Sequence, residues 1–239
     1  MADRDNVLHA ISSVQGVNLR TLEMDESAVQ LEQDPCAFCA DLIYRRSTDG
    51  GKTWSQPRNI SDTFDGSEKM SMWQAESGRL YIQWDEGFDW YIGRGDYDSI
   101  RIVYSDDGGL NWSEPIIVTG NGLPFMGEAV DYGDGNLLVV WREARDADRS
   151  IHFQITSDDG QTWSEPGVVP GLVANNAADS VLDDYELIRD RAGIVHLFAV
   201  GVTPENPDSV PGLYHVEFRQ GRWQRPTLVY FDPRVRRPE

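Results

Sequence analysis

Short runs of alternating apolar and polar residues recur along the chain and are separated by clusters of glycine, aspartate and serine. Examples are DLIYRRS, SIRIVYS, SIHFQITS and GLYHVEFR, and further strand-like runs such as IIVTG and TLVYF follow. Alternation with a period of two is typical of β-strands that bury one face. Because helical periodicity is almost absent, the pattern predicts an all-β fold built from hairpins.

A second hairpin signal precedes three of these runs. The segments ESGRLYIQW, GDGNLLVVW and RAGIVHLFA place Gly78, Gly135 and Gly193 at a turn. Glycine at such a position supplies the backbone conformation that a tight turn requires. Two hairpins in each repeat predict a sheet of four antiparallel strands.

One segment is repeated along the chain. SDDGGLNWSEP (105–115) recurs as STDGGKTWSQP (47–57), as SDDGQTWSEP (157–166) and, in eroded form, as FRQGRWQRP (218–226). The copies lie about 50 to 60 residues apart, which is typical of the blades of a β-propeller. We therefore expect one propeller domain of about four to five blades, with repeats at approximately 1–61, 62–119, 120–170 and 171–231.

The repeated segment resembles the Asp box, the Ser-x-Asp-x-Gly-x-Thr-Trp signature of sialidases and other β-propellers with BNR repeats. The matching residues are Ser47, Asp49 and Trp54 in the first copy, Ser105, Asp107 and Trp112 in the second, and Ser157, Asp159 and Trp163 in a third copy that is one residue shorter. The resemblance implies a sialidase-like propeller. Because sialidases have six blades, the blades visible in the sequence are expected to form either a compact propeller or part of a six-bladed ring. It also implies that the boxes are structural and lie on the face opposite the active site.

Binding residues are therefore expected in the loops of the other face. The segment from Trp84 to Asp98 is rich in aromatic and acidic residues, a combination that suits sugars because rings stack on their apolar faces and acids bind their hydroxyls. In the alternative interpretation, the rings cover a blade edge and the acids keep the loop soluble. The candidate ligand-binding residues are Trp84, Asp85, Trp90, Tyr91, Arg94 and Arg145.

Glu128 and Arg142 form a second candidate site. In order and approximate spacing they resemble a glutamate and an arginine of sialidases, a resemblance that implies catalytic roles. An arginine fork binds a carboxylate in two-point contact, and a glutamate polarises the tyrosine nucleophile. The alternative is an ordinary ion pair at a strand end. The Arg-Ile-Pro motif of sialidases and an identifiable nucleophilic tyrosine are missing from the sequence.

Charge and composition narrow the classes of partner. The 239 residues carry a net charge of -19, so nucleic acid and anionic membranes would repel the chain. The sequence contains no run of eighteen apolar residues, so no membrane-spanning helix is predicted. Cys36 and Cys39 form a lone C-x-x-C, read as a disulfide of an exported protein or as a reduced pair. The four histidines are scattered, and no metal or cofactor is predicted.

Two functions remain open from the sequence. The first is a sialidase-like binding module, extracellular or at the cell surface, that recognises a glycan or a protein through its loop face. The alternative is a glycoside hydrolase of the exo-sialidase type that cleaves terminal sialic acid or a related sugar. Neither the ligand nor the oligomeric state follows from the residues alone.

Overall fold

The computed structural model describes residues 1–15, 40–63, 65–87, 98–118, 122–133, 135–143, 149–174, 185–207 and 209–231. Within these ranges the secondary structure consists of strands and turns without an α-helix, which confirms the all-β prediction. Six residues singled out from the sequence lie outside the described ranges: Cys36, Cys39, Trp90, Tyr91, Arg94 and Arg145.

The chain divides into two compact units, of which the first is Met1–Val118. Its strands are β1 (Leu8–Gln15), β2 (Ala40–Ser47), β3 (Arg58–Asn59), β4 (Gly66–Gln74), β5 (Leu80–Gly87), β6 (Ser99–Ser105) and β7 (Ile116–Val118). Strands β4 to β7 form an antiparallel four-stranded meander, hereafter a blade. Strand β2 pairs antiparallel with β1 and with β3, and it pairs in parallel with β4 at one residue pair.

The second unit is Thr119–Glu239 and contains two further meanders. Its strands are β8 (Pro124–Gly133), β9 (Asn136–Glu143), β10 (Ser150–Thr156), β11 (Gly167–Ala174), β12 (Tyr185–Arg189), β13 (Val195–Val202), β14 (Gly212–Arg219), β15 (Arg222–Trp223) and β16 (Thr227–Phe231). Strands β8 to β11 form one blade, and β12 to β14 with β15 and β16 form the next. The predicted antiparallel sheets are therefore confirmed, whereas the number of blades stays a prediction.

Each copy of the repeated segment joins two antiparallel strands, as its position after an alternating run predicts. The pairs are β2 with β3, β6 with β7, β10 with β11 and β14 with β15. We call these connections motif turns. They mark one end of each blade, and the turns β4–β5, β8–β9 and β12–β13 lie at the same end because adjacent strands run antiparallel.

Side chains close the first motif turn onto its own backbone. The Ser47 hydroxyl donates to Oδ1 of Asp49 at 2.8 Å and accepts the amide of Gly51 at 2.9 Å. Asp49 accepts the amide of Thr53 at 2.9 Å and its hydroxyl at 2.6 Å. Ser105, Asp107 and Asn111 make the same set of bonds in the second turn. The aspartates thus stabilise turns through local hydrogen bonds.

The third motif turn corrects the sequence alignment by one residue. Its hydrogen bonds join Thr156 to Asp158 at 2.7 Å and Asp158 to the Thr162 hydroxyl at 2.6 Å. Ser157 and Asp159, assigned from the sequence, take no part in this set of bonds, although Asp159 has contacts of its own. The copy therefore has full length, with Thr156 at the position of the motif serine and Asp158 at that of the motif aspartate. Asp159 takes the left-handed conformation, φ 56°, that glycine has at the same position of the other turns.

Asp158 makes the third turn sensitive to acid. The Thr162 hydroxyl and amide, with Thr156, lower its pKa to about 2. A lowered carboxyl pKa stabilises the fold above pH ~4, and this stabilisation is lost as the pH falls towards ~2. We expect Asp158→Asn to lower the melting temperature at pH 7 and to match the wild type near pH 2. Asp159→Asn is the control, and an equal loss in this variant would contradict the corrected alignment.

The core of the first unit lies between β2 and the strands β5 and β6. Leu42, Tyr44, Ile82, Trp84 and Val103 form a cluster in which every side chain is at most 2% exposed. The residues alternate along their strands, so one face of each strand enters the cluster. This packing fixes β5 and therefore positions the polar residues at its end.

Candidate functional site

Buried polar side chains collect at one end of the first unit. Strand β5 ends at Gly87 and β6 begins at Ser99, whereas the motif turns lie at the opposite end of these strands. We call this region the β5–β6 end. Its buried polar residues, each at most 7% exposed, are Asp41, Ser67, Glu68, Asp85, Glu86 and Ser99. Buried carboxylates are rare unless hydrogen bonds or charges compensate their lost hydration.

Glu86 lies at the centre of one hydrogen-bond network. Its Oε2 accepts the Trp84 indole N–H at 2.7 Å and the Ser67 hydroxyl at 2.9 Å. Burial raises the pKa of Glu86, although hydrogen bonds from Thr63 and Trp84 act in the opposite direction. The Thr63 and Ser67 hydroxyl oxygens are 3.3 Å apart. The network ties the end of β5 to β4 and to the segment that precedes it.

Asp85 and Glu68 lie on the other face of the same strands. They are directly opposed on β5 and β4, and an irregularity in the strand pairing follows Glu68. Glu68 is 5% exposed and Asp85 is 6% exposed. Directly opposed residues of an antiparallel pair have Cβ atoms about 5 Å apart. Two acidic side chains therefore start from neighbouring positions on the sheet, an arrangement that suits sugar hydroxyls or proton transfer.

The second unit repeats the tryptophan–glutamate bond of β5. On β9, the Trp141 indole N–H donates to Oε1 of Glu143 at 2.8 Å, as Trp84 does to Glu86. The residue between the two partners is Arg142, at the position that Asp85 occupies in the first unit. Both units thus have a Trp-x-Glu hydrogen bond at a strand end, which we call the Trp-x-Glu bond. The residue between the partners is negatively charged in the first unit and positively charged in the second.

Arg142 is buried, with 1% of its surface exposed. Its guanidinium carbon lies 5.5 Å from the centroid of the Phe125 ring, and Nη1 lies 4.0 Å from the sulfur of Met126. The hydroxyl of Tyr185 donates to the carbonyl oxygen of Met126. Aromatic and sulfur groups therefore surround a cation that also has further contacts.

Glu128 lies on β8, the strand beside Arg142. Strand pairing sets Glu128 opposite Val140 and Phe125 opposite Arg142, with an irregularity between the two pairs. Glu128 is half-buried. The structure therefore brings the two predicted catalytic residues to one strand pair in the second unit, and their catalytic roles stay predictions.

Trp84 is placed differently from its expected role. The ring is fully buried in the core of the first unit, and its only polar atom is bound to Glu86. A buried ring has no free face on which a sugar can stack, so the aromatic-platform role assigned to Trp84 is corrected. Glu68 was missed because no motif marks it. The sequence signal for the Trp-x-Glu bond is the repeat of Trp-x-Glu in WDE (84–86) and WRE (141–143).

The described sheets are antiparallel blades with turns held by aspartate hydrogen bonds and with buried charges at the opposite strand ends. These features define a β-protein built from repeated blades. The chain belongs to the BNR repeat-like domain family, whose model matches residues 26–186. This confirms the sialidase-like BNR relationship that the motif resemblance implies.

Two curated relatives are sialidases. The chain is 24% identical to the sialidase of Clostridium perfringens over 172 residues, which cover 60% of this chain and 44% of the relative. It is 30% identical to a sialidase of Bacteroides fragilis over 129 residues, which cover 53% of this chain and 23% of the relative. The chain therefore matches less than half the length of each of these proteins.

A solved structure supports the fold. The α-L-arabinofuranosidase arb93a of Fusarium graminearum superposes with a TM-score of 0.57 at 13% identity and covers 92% of this chain and 61% of its own. At this identity the likeness concerns the fold alone.

Among the described residues, no helix has the length and apolar character needed to cross a membrane.

Proposed function

We propose that the chain is an extracellular glycan-binding BNR module whose first-unit site is the β5–β6 end. The observation that carries this proposal is the concentration of buried carboxyl and hydroxyl groups there, in a chain whose family includes sialidases. Sugar hydroxyls both donate and accept hydrogen bonds, so such a surface suits them.

The charge of this end favours a neutral sugar. The carboxyl groups of Asp41, Glu68, Asp85 and Glu86 lie there. Two described cations are near them in the strands: Lys69, which follows Glu68 on β4, and Arg101 on β6. Arg101 already forms an ion pair with Asp98 at 3.2 Å. A sugar carboxylate would meet repulsion at this position, whereas neutral hydroxyls would not.

Residues that follow β5 in the sequence are proposed to complete the site. Trp90, Tyr91 and Arg94 come soon after Gly87, where β5 ends. The rings keep the stacking role expected from the sequence, and Arg94 is proposed to donate hydrogen bonds to the sugar. Arg145, which follows Arg142 and the end of β9, is proposed as the corresponding contact in the second unit.

Asp85→Asn tests the location of the site. We expect this variant to weaken glycan binding by at least about tenfold, because a charged hydrogen-bond acceptor contributes about 1.5 to 3 kcal/mol. Binding is measured by isothermal titration calorimetry with the best neutral ligand from a glycan array. Asp106→Asn is the matched control, since Asp106 pairs with Arg79 at the motif-turn end. Equal affinity in the two variants would reject the site.

Glycoside hydrolysis is the second candidate function. The observation in its favour is the directly opposed pair of buried carboxyl groups, Glu68 and Asp85, because glycosidases use two carboxyl groups as acid and base or nucleophile. Fluorogenic sialoside and arabinofuranoside substrates distinguish the two functions. Turnover that Glu68→Gln or Arg142→Ala abolishes would favour hydrolysis, whereas binding without turnover favours the module.

A further inference from the structure

Two of the four histidines meet on the last blade. Strand β13 carries His196 and β14 carries His215, and their rings are joined between Nδ1 of His196 and Nε2 of His215 at 2.8 Å. Glu217 lies directly opposite His196 in the strand pairing. One ligand atom from each of the three residues falls within 4.8 Å of the others.

We infer that His196, His215 and Glu217 form a binding site for a divalent transition metal, of which zinc fits best. Imidazole nitrogen and carboxylate oxygen are preferred zinc ligands, and three protein ligands leave a fourth position for water. The site lies at the motif-turn end of its blade and uses none of the residues proposed for glycan binding.

A carboxylate already orients one of the ligands. Oδ2 of Asp190 lies 3.2 Å from Nε2 of His196, so Nε2 carries the proton and Nδ1 presents its lone pair towards His215. The other oxygen of Asp190 is held by the amides of Ala192 at 2.8 Å and Ile194 at 2.9 Å. A carboxylate that accepts the distal N–H of a histidine is the usual support of a metal-bound imidazole.

Binding requires a small movement of the rings. Their centroids are 5.1 Å apart while the joined nitrogens are 2.8 Å apart, so the rings lie end to end. Nitrogens that bind one tetrahedral zinc ion are about 3.3 Å apart, because each Zn–N bond is about 2.0 to 2.1 Å long. The two nitrogens must therefore separate slightly and turn towards Glu217, and the ion takes the place of the proton between them.

Neighbouring side chains define the surroundings of the site. Phe198 stacks on His215, with ring centroids 4.8 Å apart, and limits its rotation. Arg219 forms an ion pair with Glu217. The ion must therefore share the carboxylate with Arg219 or displace it. Both His196 and His215 are half-buried, so an ion from solution can reach them.

Zinc titration by calorimetry tests the site. Because Cys36 and Cys39 are potential zinc ligands themselves, the parent protein is the full chain with both replaced by serine. We expect this parent to bind one zinc ion. We expect His215→Ala to weaken binding at least about tenfold and Asp190→Asn to do so by a similar factor through His196. His152→Ala, a half-buried histidine on β10, is the control that keeps full affinity.

Two further measurements separate loss of ligands from loss of folding. Zinc should raise the melting temperature of the parent and of His152→Ala, and this shift should vanish in His215→Ala. Cobalt should give the visible spectrum of a nitrogen- and oxygen-ligated ion without thiolate charge transfer. Failure of the serine parent to bind zinc, or equal affinity in His215→Ala and His152→Ala, would overturn the inference.

Discussion

Replacement of Gly109 with alanine is expected to lower the free energy of unfolding by about 3 kcal/mol. Gly109 lies in the second motif turn with φ +81°, a conformation that costs a side-chain residue about 1 to 2 kcal/mol. A methyl group there would also overlap the Tyr44 hydroxyl and lie 2.8 Å from its Cζ. Tyr44 has little room to move because its hydroxyl lies 2.6 Å from Nδ1 of His9 and it packs against Trp112.

The neighbouring glycine offers a matched control. Gly108 also has a left-handed conformation, φ +69°, but no atom lies within 4 Å of an added methyl group. Gly108→Ala should therefore cost only about 1 kcal/mol, which is the price of conformation alone. Urea denaturation of both variants measures the difference. Equal losses would show that contact with Tyr44 is unimportant.

Tyr44→Phe provides a second check on the same contact. Removal of the hydroxyl relieves part of the overlap, so Gly109→Ala should cost less in the Tyr44→Phe background than in the wild type. Residues in direct contact show such coupling, of about 0.5 to 3 kcal/mol. If the losses of the two single variants add up to the loss of the double variant, the effect of Gly109→Ala comes from its backbone conformation and not from contact with Tyr44.

The strand pattern was predictable because it depends on local chemistry. Alternating runs such as SIRIVYS became β6, and the glycine and aspartate clusters became turns. The third motif turn shows where prediction from local sequence fails. In TSDDG the motif can be aligned on Ser157 and Asp159 or, with threonine in place of serine, on Thr156 and Asp158. Only the hydrogen bonds of Thr156 and Asp158 distinguish them.

The site was less predictable because it depends on contacts between distant residues. From composition, Trp84 and Trp54 are equivalent, yet Trp84 is fully buried and Trp54 is 37% exposed. His196 and His215 appeared scattered in the sequence, but the β13–β14 pairing brings them within hydrogen-bond distance. Burial and cross-strand register decide which residues meet, and neither can be read from residue type alone.

Trp84→Ala should have the largest effect on stability, about 3 to 5 kcal/mol. The ring fills the core between β2 and β5, and its removal leaves a cavity and takes a donor from Glu86. Trp54→Ala is the control, since a partly exposed tryptophan in a motif turn should cost about 1 kcal/mol. Denaturant midpoints at pH 7 measure both losses. A similar loss in the two variants would contradict the burial of Trp84.

Trp84→Phe separates the hydrogen bond from the packing. Burial raises the pKa of Glu86, so the contribution of Glu86 to stability decreases as the pH rises above about 4.5 and the carboxyl group ionises. The indole N–H stabilises mainly the ionised form. Loss of this donor should therefore destabilise the protein more at pH 8 than at pH 4.5. A loss of stability that is the same at both pH values would show that packing accounts for the whole effect and that the indole N–H does not stabilise ionised Glu86.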